Sequence, residues 1–292
     1  MNIHEVNPGA EAAAGSRSSR FRFNRRQRAL GAVALAGLLV VSVWAAGGLM
    51  SADPLATRLE LRNSAPSAAH LFGTDWLGRD MFTRTIKGLA LSINVGMTAA
   101  AASVVIAALM GLAAALGKAA DRIVSWLIDL FLSVPHLVTL ILIAFVFGGG
   151  MKGVVIGIAL THWPTLARVI RAEVLQLRTA EYVLISRRMG KSRWWIATRH
   201  MMPHIVPQLL TGLLLVFPHA ILHEAAITFI GLGLSPHQPA VGIILSESMR
   251  YLSTGMWWLA FFPGLCLLLI VRAFDMAGEN LRLLLDPRQM HE

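Results

Sequence analysis

The chain has 292 residues, of which 55% are apolar and only 14% charged, and its net charge is +10. An ordinary soluble domain carries about 25% charged residues, so the composition excludes a water-soluble globule and points to a membrane protein. Nucleic-acid binding is disfavoured too, because its cations belong on a wet surface and here they cluster between long apolar runs.

Residues 1–28 form a basic tail poor in large apolar side chains, and its first part, to about Arg20, is expected to be disordered. Arg17, Arg20, Arg22, Arg25, Arg26 and Arg28 precede the first apolar run, 29–52, which holds no charged residue. That run is long enough to cross a hydrocarbon core of about 30 Å at about 1.5 Å per residue. The apolar region of a cleaved signal peptide is about 7–15 residues, so a first transmembrane helix fits better. The Arg25-Arg26 pair is a weak look-alike of a twin-arginine signal.

A long loop, 53–87, follows, and then come five further apolar stretches: 88–117, 130–151, 153–167, 205–233 and 255–271. The expected fold is therefore an all-α polytopic bundle of six transmembrane helices, with both termini on one side. Its core is expected at 89–280, and a short tail, 281–292, closes the chain. The lone Cys266 excludes an intrachain disulfide and a cysteine-cluster metal site, and it reads as a small packing residue.

Cations orient the stack. With the amino terminus in the cytoplasm, 19 of the 26 Lys and Arg fall on that side. They lie in the tail, in a loop at 118–129, in the basic segment within 168–204 and after Arg272. Both termini are then cytoplasmic, and 53–87 and 229–242 are external.

The basic segment has more pattern than topology requires. Residues 179–189 have helical spacing, Gly190 permits a left-handed turn, and 192–202 resume the helix before Pro203, which is expected to close it. Trp194 and Trp195 suit a membrane interface. This is a helix-turn-helix without catalytic groups, suited either to docking a partner or to lying on lipid.

In the 53–87 loop, "GTDWLGRDMFTR" sets Gly73 and Gly78 around a tight turn and alternates Asp75 and Asp80 with Arg79 and Arg84. Two carboxylates without a third ligand nearby read as a loop held by Asp–Arg pairs rather than as a catalytic or metal site. The 229–242 stretch, with Gly231 and Gly233, is irregular backbone, which at membrane depth must be enclosed by protein or line a wet cavity. It is a candidate external mouth.

Five ionisable groups, His136, His162, His219, His223 and Glu224, fall in or at the edges of spans, where each is a functional candidate by default. His219 and His223 share a helix face, but HExxH order is absent. They either hydrogen-bond between helices or line a path. His162, His219, His223 and Glu224 are the candidate path residues. No stable metal site is expected, because cargo held tightly in a pore could not leave.

The spacing from Gly190 to Met202 and Pro203 resembles the coupling loop of ABC-importer permeases. The family's Glu-Ala-Ala triplet falls on Leu184, Ile185 and Ser186, just after Glu181, and is not preserved. "HLFGTDWLGRDMFTR" (70–84), "FIGLGLSPH" (229–237), "FFPGL" (261–265) and "LLLDPR" (283–288) are similar to the peptide/nickel branch of these permeases. The resemblance spans about 29–288. It implies half of a translocation path in the bacterial inner membrane and pairing with a second homologous permease. It also implies two cytoplasmic ATPase subunits docked on the basic loops, carrying the ATP and Mg, and an external solute-binding protein. The chain itself contains no GxxxxGK[ST] phosphate loop and is expected to hold no cofactor. The stretches 160–178 and 219–234 look closest to nickel and metal-chelate members, so nickel, cobalt or a metallophore is the expected cargo and a di- or oligopeptide the alternative. A membrane-embedded enzyme built on the histidines and a passive channel or scaffold are the rivals of other classes.

Overall fold

The structure, a computed structural model, describes residues 25–285. Most of the expected amino-terminal tail, residues 286–292 of the carboxyl-terminal one and the last part of "LLLDPR" lie outside the described residues. Among the described residues ten α-helices follow one another: α1 (Arg25–Leu49), α2 (Met81–Ala113), α3 (Lys118–Ser133), α4 (His136–Val146), α5 (Gly150–Leu177), α6 (Glu181–Arg188), α7 (Arg193–Ile196), α8 (Met202–Phe229), α9 (Val241–Leu252) and α10 (Trp258–Leu285). A single π turn, Ala197–Met201, joins α7 to α8. Among the described residues the only extended pairing is an isolated bridge between Thr74 and Asp80.

Among the described residues five helical segments are each long and apolar enough to span a membrane: α1, α2, α5, the continuous run from α7 through α8, and α10. α3 and α4 together are apolar enough for a sixth span, but the third expected span, 130–151, is bent rather than straight. Its chain is broken between α3 and α4, which meet at 99°. Proline disfavours helical geometry in the residue before it, and Val134, preceding Pro135, is extended at φ −99° and ψ 141°. The expected loop at 118–129 is the first part of α3. The 153–167 stretch belongs to a 28-residue helix that continues to Leu177, and the loop at 53–87 ends in the first turns of α2. Pro203 does not close a helix. It lies within the continuous run from α7 through α8, just after the π turn, the kind of local irregularity at which a helix accommodates a proline's missing N–H.

Asp80 starts α2: its Oδ2 accepts from the Thr83 N–H and the Thr83 hydroxyl, both at 2.8 Å. α2 is the centre of the bundle and packs on α1, α5 and α8. Small residues set that proximity. A Cβ built on Gly111 would stand 2.4 Å from the side chain of Ile170 on α5, so only glycine permits this approach, the usual device of membrane helix pairs. Two apolar clusters fill the bundle. One contains Leu89, Ile93, Phe217, Ile221 and Phe274, with the last aromatic pair 4.0 Å apart between ring centroids. The other gathers Trp163, Ile170 and Val174 of α5 with Val183 of α6 and Ile196 of α7.

α3 is amphipathic. Val124 and Ile128 are buried, while Ile123, Trp126 and Leu130 stay exposed. Its acids hold it to α5: Asp121 takes two hydrogen bonds from Arg171, at 2.6 and 3.0 Å, and Asp129 pairs with Arg168 at 3.2 Å.

Candidate functional site

The segment 178–204 is a tight helical hairpin. At the end of α6, the Gly190 N–H donates to the Arg187 carbonyl and the Lys191 N–H to the Ser186 carbonyl, both at 3.1 Å. Gly190 sits at φ +79°. This bond pair around a left-handed glycine is a Schellman cap, which satisfies the carbonyls that a helix end leaves free. Ser192 then caps α7, its hydroxyl accepting from the Trp195 N–H at 3.1 Å.

Cross-links make the hairpin rigid. Ser186 Oγ lies 2.9 Å from His200 Nε2, Tyr182 Oη 3.2 Å from His204 Nε2, and the Lys191 ammonium 5.0 Å from the Trp195 ring centre. Val183 and Ile196 anchor both arms in the apolar cluster shared with α5. Arg178 and Arg193 reach the carbonyls of Ala114 and Leu116, just past α2, where cations are favoured by the helix dipole. Several of the arginines that read as topology signals are therefore also structural. Outward, the hairpin presents Leu184, Ile185 and Met189, the last 72% exposed, among exposed charged residues that include Glu181, Arg187, Arg188 and Lys191. Glu181 opens α6. Of the expected residues of this segment, Leu184 and Ile185 share the exposed surface, Ser186 and Gly190 build the turn, and Met202 and Pro203 open α8 within the continuous run from α7.

At the opposite end of α2, the 53–80 loop closes on buried charge. Asp75 accepts from Arg79 Nε at 2.7 Å and from Arg84 Nη1 at 2.9 Å. It also takes the backbone N–H groups of Leu77 and Arg79, each at 2.9 Å. Arg84 extends the chain to Glu247 of α9 at 2.7 Å. Asp80 binds His70 at 3.0 Å besides capping α2. Gly73 and Gly78 both adopt φ +73°, and a Cβ on Gly78 would strike the Arg58 carbonyl. Gly231, at φ +86°, begins the turn after α8. Gly233 follows it, packed against Thr228 so closely that a Cβ would stand 2.1 Å from the hydroxyl oxygen.

The ionisable groups of the spans separate into two places. His162 of α5 and His223 of α8 meet His136, the first residue of α4, with one ring nitrogen from each within 4.8 Å of the others. His219 lies one turn from His223, exposed, and outside this group. Glu224 is turned away and fully buried, with Oε1 accepting from Thr228 at 3.0 Å and Oε2 without a hydrogen-bond partner. The four expected path residues thus do not form one lining. His136 joins them only through the break at Pro135, which the hydropathy of 130–151 conceals.

Residues 103–289 match the family model described as the binding-protein-dependent transport system inner membrane component. The chain belongs to that family. It is a multi-pass inner-membrane transport component rather than an enzyme. A Brucella suis protein, provisionally named a peptide transport system permease, is 34% identical over 93% of this chain and 91% of its own. The dipeptide transport system permease protein of Bacillus subtilis is 33% identical over 78% and 71%. That of Alkalihalophilus pseudofirmus is 32% identical over 89% and 85%. Among solved structures, the inward-facing methionine ABC transporter MetNI shares the fold, with a TM-score of 0.57 at 17% identity over 70% of this chain and 98% of that one. The expected nickel preference is not what these relatives' names carry; the named ones are peptide permeases.

Proposed function

We propose that this inner-membrane component forms half of the path of an ATP-driven ABC importer for di- or oligopeptides, beside a second homologous permease. The observation that carries the coupling mechanism is the hairpin α6–Gly190–α7: a capped, cross-linked unit anchored in the α5 core that turns Leu184, Ile185 and Met189 outward. A rigid body passes on displacement, whereas a flexible loop absorbs it. In this reading it faces the cytoplasm, where the cations of the positive-inside pattern gather. A partner ATPase docks there, and closing of two such ATPases on ATP rocks the helices. The 53–80 and 229–242 segments then face outward, towards a solute-binding protein that supplies cargo.

Peptide cargo is supported by the names of the permeases at 32–34% identity. A metal or metal-chelate cargo is the second reading, favoured by the imidazoles grouped between α4, α5 and α8. Uptake in cells with and without the chain separates them. Chain-dependent, ATP-dependent accumulation of a labelled dipeptide, with unchanged nickel uptake, supports the first. Nickel accumulation alone overturns it in favour of the second, and uptake independent of ATP overturns both.

A further inference from the structure

The histidine group has the properties of a ligand set rather than of interhelical glue. Its members come from three helices, and the ring centroids lie 4.5, 4.7 and 5.0 Å apart. Yet no hydrogen bond joins one ring to another. At His162 and His223, Nδ1 faces a backbone carbonyl one turn earlier, Ile158 at 3.0 Å and His219 at 2.6 Å. A carbonyl oxygen only accepts, so Nδ1 carries the hydrogen and Nε2 keeps its lone pair. This is how metal-ligating histidines are usually held: one nitrogen bonded to a carbonyl, the other free to coordinate. His136 meets the other two rings edge-on. No carboxylate joins the group, since Glu224 points elsewhere.

We infer that His136, His162 and His223 form a three-nitrogen binding site for a divalent transition metal ion of the Ni²⁺ or Zn²⁺ type, set between α4, α5 and α8. Imidazole suits these borderline ions, whereas Mg²⁺ and Ca²⁺ require oxygen ligands. Metal–nitrogen bonds of about 2.0–2.1 Å place the nitrogens about 3.3 Å apart. Small ring rotations of these half-buried side chains draw them from within 4.8 Å to that spacing. Three protein ligands leave further coordination positions open to water or to a donor group on a solute, so the ion exchanges instead of being sealed in. His162 lies about 18 Å along α5 from its first residue, deep within the span. An ion bound there ties three helices together and opposes any motion that separates them. The inference requires only this packing, and it holds whether the imported cargo is a peptide or a metal.

The test uses the assembled transporter, purified without a polyhistidine tag and held in lipid nanodiscs. Equilibrium dialysis against Ni²⁺ with elemental analysis counts the ions bound. The expected result is one Ni²⁺ per copy of this chain above the count for His162→Asn, with His237→Asn retaining it. His136→Asn, which leaves both carbonyl-bonded histidines in place, covers a folding failure in His162→Asn. It is expected to lose the ion and the Ni²⁺-dependent rise in melting temperature while eluting as the intact complex. Equal Ni²⁺ counts in wild type and in folded His136→Asn, or loss of the ion in His237→Asn, would overturn the site.

Discussion

Arg171 and Asp121 are held together by two hydrogen bonds, at 2.6 and 3.0 Å, between α5 and α3. The pair is only about a quarter exposed, with side chains at 25% and 21%. It fixes an otherwise amphipathic surface helix against the spans. A charge-assisted, two-point contact of this kind contributes about 1.5–3 kcal/mol. A double-mutant cycle with Asp121→Asn and Arg171→Gln is expected to show coupling of about 1–3 kcal/mol in the unfolding of the purified chain. Additive effects would show that the contact contributes nothing.

Gly190 occupies the one position of the hairpin whose backbone is left-handed. Its surroundings are open, so a larger side chain meets conformational rather than packing resistance, about 1–2 kcal/mol for a residue with a Cβ. Gly190→Val is expected to lower ATP-driven uptake at least tenfold while the amount of protein in the membrane changes less than twofold. Asparagine tolerates the left-handed conformation, so Gly190→Asn is expected to keep most of the uptake. Uptake equal to wild type in the valine variant contradicts the role given to the turn.

Arg84 is 3% exposed and Asp75 4%. Arg84→Ala leaves Asp75 with Arg79 and two backbone N–H groups, so the cost is that of one charge-assisted hydrogen bond, about 1.5–3 kcal/mol. Arg84→Ala also removes the 2.7 Å contact to Glu247 on α9, leaving the 53–80 loop tied to that helix only by the longer Arg79–Glu247 pair at 3.6 Å. Limited proteolysis in the loop, near Arg58 or Arg62, is expected to speed up at least tenfold in Arg84→Ala, while Arg62→Ala itself leaves the remaining sites as protected as in wild type. An unchanged cleavage pattern in Arg84→Ala contradicts the structural role of the ion cluster.

Long uncharged runs are legible in a sequence because crossing a bilayer demands them. The extents of α2, α8 and α10 follow from 88–117, 205–233 and 255–271 to within a turn or two of helix, the main exception being the polar extension of α10 to Leu285. What hydropathy misses is direction. The 130–151 run is uniformly apolar, and nothing in its composition distinguishes a straight span from a chain that turns 99° at Pro135; the proline itself is the available signal. The hairpin was readable from Gly190, since a glycine between two helical periods has a specific backbone use. The fate of Pro203 was not, because a proline can end a helix or lie within one beside a π turn. Likewise, the i, i+4 spacing of His219 and His223 pairs residues along one helix. The fold instead selects His223 with His136 and His162, from segments 26 and 61 residues apart in the chain. Contacts of that range depend on packing and leave no local period.

The measurement that bears most directly on the coupling mechanism is site-directed cross-linking from the hairpin's exposed face. With Cys266→Ser as background, Met189→Cys carrying a photoreactive maleimide is illuminated in native membranes. The account predicts an adduct between this chain and an ATPase subunit containing a nucleotide-binding phosphate loop, identified by mass spectrometry and formed only when the reagent reaches the cytoplasmic face. Labelling from the outer face of intact cells, or adducts confined to lipid, would contradict it.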